Sequence, residues 1–165
     1  AAAKGQLSQV QHLIQNGTDI EWEYGGESAL VAASRTGQLD VVKYLLSQNA
    51  NLEAQCGGET ALMKAAKRRD IRLVNLLCEH GAFVDAQYGG NTALGRATDA
   101  RKKEMVELLH ERGADLDSEC GGATPLMRAA MRGDLEFVTL LVNLGANPNA
   151  QCGGETPLKR AKDRG

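Results

Sequence analysis

The chain of 165 residues has few aromatic side chains, almost no net charge and no long apolar run. Phe, Trp and Tyr make up 4% of the residues, so Ala and Leu must fill the interior, which suits thin layers of closely packed helices. The formal net charge of -2 favours neither nucleic acid nor an anionic membrane as a partner. No apolar run approaches the roughly 20 residues of a membrane-spanning helix, and residues 1–5 do not resemble a secretory signal peptide.

The sequence also lacks the residue patterns of common catalytic and metal sites. It contains no Ser/His/Asp or Cys/His arrangement, no phosphate-binding loop and no HExxH motif. His12, His80 and His110 lie near one repeat spacing from each other, which holds them too far apart to share a metal ion. We therefore expect a protein without enzymatic activity, metal ion or cofactor.

Three of the four cysteines, Cys56, Cys120 and Cys152, recur at multiples of 32 residues. Stacked repeats lie about 10 Å apart, whereas a disulfide needs Cα atoms within roughly 7 Å of each other. We expect these three residues to be free, exposed thiols and Cys78, which replaces an apolar helix residue, to be buried. Free cysteines fit a reducing compartment, so the expected location is cytoplasmic or nuclear.

A Gly-Gly motif organises the chain. The glycine pairs begin at positions 25, 57, 89, 121 and 153, a constant spacing of 32 residues. A fixed period in this range is typical of stacked repeat proteins. We expect one domain over residues 1–165, with full units over 28–59, 60–91, 92–123 and 124–155 and partial units over 1–27 and 156–165.

Each unit contains signals for two helices. In the repeat that begins at residue 28, Ser28 is a suitable N-cap for a short helix over residues 29–36. Gly37 separates this helix from a bulkier one over residues 38–48. Small residues on one helix and large ones on its partner predict wedge-shaped layers, which stack into a curved array with the short helices on its concave side.

The unit over residues 92–112 departs most from this pattern. Gly95 lies inside the first helix, at a cost of about 1 kcal/mol relative to alanine. Arg101 stands where Gly37 and Gly133 stand in other units, and Lys103 replaces an apolar residue. We expect this layer to be the least stable of the interior ones.

These units resemble ankyrin repeats, whose pattern is most complete in the unit that begins near residue 122. The matching residues are Gly122, Thr124, Pro125, Leu126, Ala129, Ala130, Gly133, Val138, Leu140, Leu141, Gly145, Ala146, Asn149 and Ala150. The period is one residue shorter than the usual period of about 33, and the family's TPLH histidine is replaced by Val31, Met63, Gly95, Met127 and Lys159. The resemblance implies an all-α repeat solenoid of helix–loop–helix layers with β-hairpin fingers, and a protein-binding role.

The charged residues are sorted by their place in the repeat. The segments expected to form the first helix of each repeat hold 14 of the 19 basic residues and two acidic ones, Asp99 and Asp163. The segments expected to form the fingers hold 11 acidic residues and no basic one. In the ankyrin layout this gives a groove with a basic wall and an acidic wall. One repeat position carries a basic row of Lys64, Arg96, Arg128 and Arg160. Lys67, Arg68, Arg132, Lys162 and Arg164 extend this row, and the fingers carry Glu23, Glu27, Glu59, Glu119 and Glu155.

Two interpretations of these charges stay open: they keep the repeat array soluble, or they attract a partner segment with acidic residues. Trp22, Tyr24 and Tyr88 lie in fingers, where aromatic side chains often anchor a partner, although Trp22 also suits a role as cover for the first hairpin. Phe83 and Phe137 are expected to pack inside, and Met63, Met127 and Met131 are expected in the core or on the floor of the groove. The residues expected to bind a partner are Trp22, Tyr24, Arg35, Glu59, Lys64, Lys67, Arg68, Tyr88, Arg96, Arg128, Arg132 and Arg160.

The expected function is therefore non-catalytic binding of a protein or peptide segment by a monomeric domain, without nucleic acid or membrane as a partner. A second hypothesis is a regulatory domain that packs on the rest of a larger enzyme or channel. A third is an engineered binder, which the strict spacing favours and the irregular unit at 92–112 disfavours.

Overall fold

The computed structural model describes residues 1–162, so Asp163 and Arg164, which belong to the expected last helix window, lie outside the described residues. The chain divides into two compact units, Ala1–Phe83 and a second unit that begins at Val84. Each unit consists of helical pairs joined by finger-like turns. The expectation of a single domain over residues 1–165 stays a prediction.

The first unit begins with a single turn of 3-10 helix and then contains five α-helices. The turn spans Ala2–Lys4, and the helices are α1 (Leu7–Gln15), α2 (Ala29–Thr36), α3 (Leu39–Ser47), α4 (Ala61–Arg68) and α5 (Ile71–Glu79). The short helices α2 and α4 stack on each other, as do the longer helices α3 and α5. The helix expected over 29–36 is thus confirmed, and the one expected over 38–48 is one residue shorter at each end.

The second unit repeats this arrangement. Its helices are α6 (Ala93–Asp99), α7 (Lys103–Glu111), α8 (Pro125–Met131), α9 (Leu135–Leu144) and α10 (Pro157–Lys162). The first helices α6, α8 and α10 stack in order, and α7 packs on α9. Leucines and valines that recur every 32 residues fill the space between the helices, including Leu94, Val106, Leu109, Leu126 and Leu141, each at most 2% exposed.

One hydroxyl residue caps each first helix from α2 onward. The backbone N–H of the third helical residue donates to the side chain of the capping residue, as Val31 does to Ser28 and Met127 does to Thr124. The same bond recurs at Thr60, Thr92 and Thr156. Each bond satisfies an N–H group that the helix itself leaves without a partner, so the five starts are set by local sequence.

The Gly-Gly pairs form the tips of the fingers. Both glycines of each pair have positive φ, as at Gly57 (59°) and Gly58 (70°), which is the backbone of a type I′ two-residue turn and favours glycine. The turn joins the two-residue strands β1 (Gln55–Cys56) and β2 (Glu59–Thr60), which pair antiparallel. The other four fingers make one bridge each, such as that between Tyr24 and Glu27.

Acidic residues at the base of the fingers connect consecutive layers. A backbone N–H donates to a carboxylate thirty residues earlier, at N···O distances of 2.7 to 3.0 Å. The donors are Asn51, Phe83, Asp115 and Asn147, and the acceptors are Glu21, Glu53, Asp85 and Asp117. Part of the acidic charge of the fingers therefore has a structural use within each unit.

Gly95 is enclosed on the side where alanine would carry its methyl group. A Cβ atom there would lie 2.3 Å from Asn91 Oδ1 and 3.1 Å from Cys120 Sγ. The helix-propensity cost of glycine relative to alanine holds only where the added methyl group has free space, so it does not apply to Gly95. Arg101 takes the place of a glycine at a φ of 54°, a conformation that costs a residue with a Cβ about 1–2 kcal/mol.

Several expectations about burial are wrong. Phe83, expected to pack inside, is 64% exposed, whereas Cys120 and Cys152, expected to be exposed, are buried. Phe83 lies in the loop after α5, at a position that elsewhere carries Asn51 or Asp115. Met63, Met127 and Phe137 are buried as expected, while Met131 and Cys78 are half-buried.

Cys120 is buried because its side chain turns inward from the finger. Its Sγ lies 3.2 Å from Thr92 Oγ1, and Cys152 lies among Ala123 and Met127. The position is nevertheless exposed at Tyr24 and half-buried at Cys56 and Tyr88. All four cysteines are free, and none of the helices in residues 1–162 is long and apolar enough to span a membrane.

Candidate functional site

The first unit contains an open apolar cavity of about 640 Å³. It lies among the 3-10 turn, α1, the first finger and α2. Leu13, Ile14 and Ile20 line it from one side, and Ala29 and Ala32 line it from the small-residue face of α2. Small side chains on α2 leave the space, and the single turn over Ala2–Lys4 stands where the following layers have helices of eight residues.

Two aromatic residues of the first finger stand beside this cavity. Trp22 is 61% and Tyr24 81% exposed, and their ring centroids lie 6.1 Å apart at an angle of 40°. Both residues line the cavity. Packing against the hairpin therefore covers only part of the Trp22 side chain, and most of it is accessible to a partner.

Arg35, Arg68 and Lys67 supply three cationic side chains to the first unit. Arg35 lines the cavity and forms a bidentate salt bridge with Glu27. Its Nε lies 2.8 Å from Oε1 and its Nη2 lies 3.1 Å from Oε2. This hydrogen bond and the charge of Glu27 raise the pKa of Arg35 above its ordinary value. Arg68 Nη1 donates to the carbonyl of Arg35 at 3.3 Å, and Lys67 extends from the same turn of α4 with 61% of its side chain exposed.

The basic row that the sequence places along the first helices serves largely to hold the fingers. Lys64 pairs with Glu59. Arg128 donates to the carbonyl of Cys120, and Arg160 donates from Nη2 to the carbonyl of Cys152 at 3.0 Å. The side chains of Lys64, Arg128 and Arg160 are only 14 to 18% exposed. These residues therefore clamp finger tips to helices, and they present little free charge to a partner.

In the second unit, Asp99 binds Arg128 of α8 and Arg132, the C-cap residue of that helix. Its Oδ2 lies 2.5 Å from Arg128 Nη1 and its Oδ1 lies 2.6 Å from Arg132 Nη2. Arg132 keeps more of its side chain accessible than Arg128 does, 36% against 16%. A partly open cavity of about 330 Å³ lies among these side chains, Gly121 and Arg160, so positive charge remains at its edge.

The remaining expected site residues have varied surroundings. Glu59 is 5% exposed and contacts Lys64 and Lys67, so it supports other side chains and is not placed to meet a partner. Arg96 and Tyr88 are half-buried. Expected residues thus come together around the cavity of the first unit, while Arg128, Arg132 and Arg160 form a second group in the second unit.

Two exposed features had not been identified from the sequence. Leu13 is 42% exposed in the wall of the first cavity, whereas Leu45, Leu77, Leu109 and Leu141 at the same repeat position are buried. Phe83 is an exposed aromatic residue in a loop. Its signal in the sequence was an aromatic residue at a position otherwise held by polar residues, as at Asn51 and Asn147.

The thiol of Cys152 lies in a setting that disfavours its ionised form. Burial raises the pKa of Cys152, and its contact with Glu119 adds to this effect. A thiol of this kind is a weak nucleophile at neutral pH because its thiolate is rare. Across residues 1–162, no group of three or more His, Cys, Asp or Glu side chains is placed to hold a metal ion.

Comparison with known proteins identifies the family. The family model for ankyrin repeats (3 copies) matches residues 1–88, 49–120 and 84–152. A chain in the solved complex of the predatory endopeptidase Bd0816 from Bdellovibrio bacteriovorus with the immunity protein Bd3460 is also similar. The match has 31% sequence identity and a TM-score of 0.80, and it covers 99% of this chain and 89% of that one.

Comparison with curated proteins finds no match. The family match nevertheless agrees with the helical pairs, caps and fingers of both units. Ankyrin repeats are protein-interaction modules. The chain belongs to the ankyrin-repeat family.

Proposed function

We propose that this chain is a non-catalytic binding module that holds a segment of a partner protein between the first helices and the fingers. The observation that carries the proposal is the pair of exposed rings, Trp22 and Tyr24, beside an apolar cavity of about 640 Å³. Isolated apolar residues on a surface are ordinary, but two aromatic residues next to a concave apolar site favour binding.

The chemistry of the site describes the segment that fits it. A bulky apolar side chain of the partner enters the cavity and contacts Trp22, Leu13 and Ala32. Acidic residues next to that side chain face Arg35, Lys67 and Arg68, whose charges lie at the rim and beyond it. Because Glu27 and Glu59 already balance part of this charge, the cations contribute orientation and association rate more than affinity.

The site is prepared for binding before a partner arrives. The Arg35–Glu27 pair fixes the guanidinium, and the type I′ turn at Gly25 and Gly26 fixes the finger that carries both rings. A rigid surface loses less conformational entropy on binding. Similarity to a chain from a complex of an endopeptidase with an immunity protein supports the proposal, and peptidases form one class of partner to include in its test.

The test is a selection of binding peptides from a random library on the immobilised chain. We expect selected peptides to combine one bulky apolar residue with nearby acidic residues. Replacing Trp22 and Tyr24 by alanine is expected to weaken their binding at least 30-fold, which corresponds to about 2 kcal/mol. The charge variant Lys67→Glu with Arg68→Glu is expected to weaken it about tenfold and to reduce its dependence on salt.

Phe83→Ala is the matched control, because Phe83 is an aromatic residue of similar exposure outside the cavity. Its binding is expected to equal that of the parent chain. Peptides that bind all three variants equally would refute the assignment of the site. Substitution of Lys64, Arg128 and Arg160 is unsuitable here, because it would release the fingers that these residues clamp.

The same proposal includes a reducing, intracellular location in the cytoplasm or nucleus. Four free cysteines support it, two of them buried where oxidation would disturb the packing. Localisation of the tagged protein by fluorescence microscopy tests this part, and an extracellular signal would contradict it.

A further inference from the structure

The second unit contains a cavity whose arginines already bind a carboxylate, that of Asp99. Asp99 Oδ2 lies 2.5 Å from Arg128 Nη1, and Asp99 Oδ1 lies 2.6 Å from Arg132 Nη2. We name the space of about 330 Å³ that these three side chains line the arginine cavity. The side chains of Asp99 and Arg132 are 35% and 36% exposed. A carboxylate from another protein can therefore reach the nitrogen atoms that Asp99 occupies.

Backbone carbonyl groups hold both guanidinium groups in place. Arg128 donates from Nη2 to the carbonyl of Cys120. Arg132 donates from Nε to the carbonyl of Arg128 at 3.2 Å and from Nη1 to the carbonyl of Asp99 at 3.3 Å. These bonds leave Arg128 Nη1 and Arg132 Nη2 as the two groups that bind the carboxylate. The binding groups are thus oriented before any partner arrives, which lowers the entropy cost of binding.

The repeat does not need a carboxylate at position 99. In the first unit, Arg68 Nη1 donates to the carbonyl of Arg35 at 3.3 Å, which is the same contact as that of Arg132 with Asp99. Three other repeats carry a residue without a carboxylate at the position of Asp99, namely Arg35, Lys67 and Met131. The backbone contact of Arg132 therefore forms whether or not an acidic side chain is present.

The charges of the arginine cavity favour an incoming anion. Arg160 also lines the cavity, but its charge is balanced by Glu155, with Arg160 Nε 3.0 Å from Glu155 Oε2. Asp99 supplies one negative charge to two guanidinium groups, those of Arg128 and Arg132. The positive excess thus belongs to the two arginines that contact Asp99.

We propose that the arginine cavity binds a glutamate side chain of a partner protein, and that Asp99 is the internal competitor which this side chain replaces. The incoming carboxylate accepts from Arg128 Nη1 and Arg132 Nη2, and its methylene groups contact Ala123 and Met131 in the wall of the cavity. Hydrogen bonds between arginine and a carboxylate are charge-assisted and strong. The arginine cavity shares no lining residue with the aromatic cavity of the first unit, so it is a second binding site.

The probe for the test is a glutamate blocked at both backbone ends, the α-amide of N-acetylglutamate, added to the full chain. The NMR signals of the arginine Nε–H groups report binding residue by residue. We expect saturable shifts at Arg128 and Arg132, and none with the corresponding glutamine compound. Arg132→Gln is expected to weaken binding about tenfold. Arg112→Gln is the matched control, since it makes the same change at a basic residue of the same unit outside the cavity, and its affinity is expected to equal that of the parent.

Asp99→Asn distinguishes the inference from a loss of folding. Removal of the internal competitor is expected to strengthen binding of the blocked glutamate about fivefold, a gain that a damaged fold does not produce. Unchanged or weaker binding by Asp99→Asn would overturn the competition, and equal binding by Arg132→Gln or of the glutamine compound would overturn the site. The probe has no bulky apolar group, and the signal of Arg35 reports on the first unit separately. Failure here is therefore distinguishable from failure of the proposed peptide site.

Discussion

Replacing Gly95 by alanine is expected to destabilise the second unit, although alanine is the better helix former. Helix propensity alone would give a gain of about 1 kcal/mol. The added methyl group, however, would lie 2.3 Å from Asn91 Oδ1, 3.1 Å from Cys120 Sγ and 3.4 Å from Thr92 Oγ1. The first of these distances is impossible without movement of buried groups, and such overpacking costs about 1–3 kcal/mol.

The cost falls in the upper part of this range because the crowded groups are hydrogen-bonded. Thr92 Oγ1 caps α6 by accepting from the N–H of Gly95 at 3.0 Å, and Asn91 Oδ1 accepts from the N–H of Thr92 at 3.2 Å. A displacement of Asn91 therefore disturbs the start of the helix. We expect a net loss of about 1–2 kcal/mol, which lowers the Tm by about 2–8 °C in a protein of this size.

A double-mutant cycle with Asn91→Ala separates the clash from other effects. Urea unfolding followed by circular dichroism gives the free energy of unfolding for the four proteins of the cycle. In the Asn91→Ala background the closest contact is absent, so Gly95→Ala is expected to cost at least 1 kcal/mol less than in the parent. A stabilisation of about 1 kcal/mol by Gly95→Ala in both backgrounds would refute the reasoning.

Four further predictions concern amide exchange, thiol reactivity, stability at alkaline pH and a carboxylate at the base of a finger. Amide hydrogen exchange is expected to be fastest, among layers other than the terminal ones, over residues 92–112, where Arg101 holds a strained φ of 54°; uniform protection would contradict this. Titration with a thiol reagent at neutral pH is expected to modify Cys56 before Cys120 and Cys152, which are buried, with all four reacting after denaturation. The pKa of Cys152 is raised in the folded chain, so the contribution of its protonated thiol to the free energy of unfolding is present at neutral pH and is lost as the pH rises above about 9. A Cys152→Ala variant whose stability falls with alkaline pH in the same way as that of the parent would exclude this contribution. Asp117→Ala removes the carboxylate that accepts a hydrogen bond from the N–H of Asn147 at 3.0 Å. Urea unfolding is expected to show a free energy of unfolding that is lower by about 0.5–1.5 kcal/mol. An unchanged value would show that water replaces the hydrogen bond without cost.

The sequence by itself determined the elements and their order. The Gly-Gly pairs predict tight turns because both positions need positive φ, and Ser28 predicts a helix start because its hydroxyl group reaches a backbone N–H group three residues later. These preferences depend on a few neighbouring residues, so the same residues recur in each repeat and give the same elements. The matching residues of the repeat then indicated the family, and helix boundaries followed to within one or two residues.

Tertiary structure decided which side chains remain accessible. The sequence sorted basic residues to helices and acidic residues to fingers, but it did not show that Lys64 binds Glu59 or that Asp99 holds two arginines. Much of that charge is paired in salt bridges within each unit. The pairing depends on distances between residues five to more than thirty positions apart, which composition and period do not contain.

The same limit applies to individual positions of the repeat. Tyr24 and Cys120 occupy one repeat position, yet the first is 81% and the second 1% exposed. Leu126 and Leu158 differ in the same way, at 2% and 64%. The sequence determined the layers because their signals act over a few residues, and only the tertiary structure decided the surfaces because burial depends on what neighbouring layers place over each side chain.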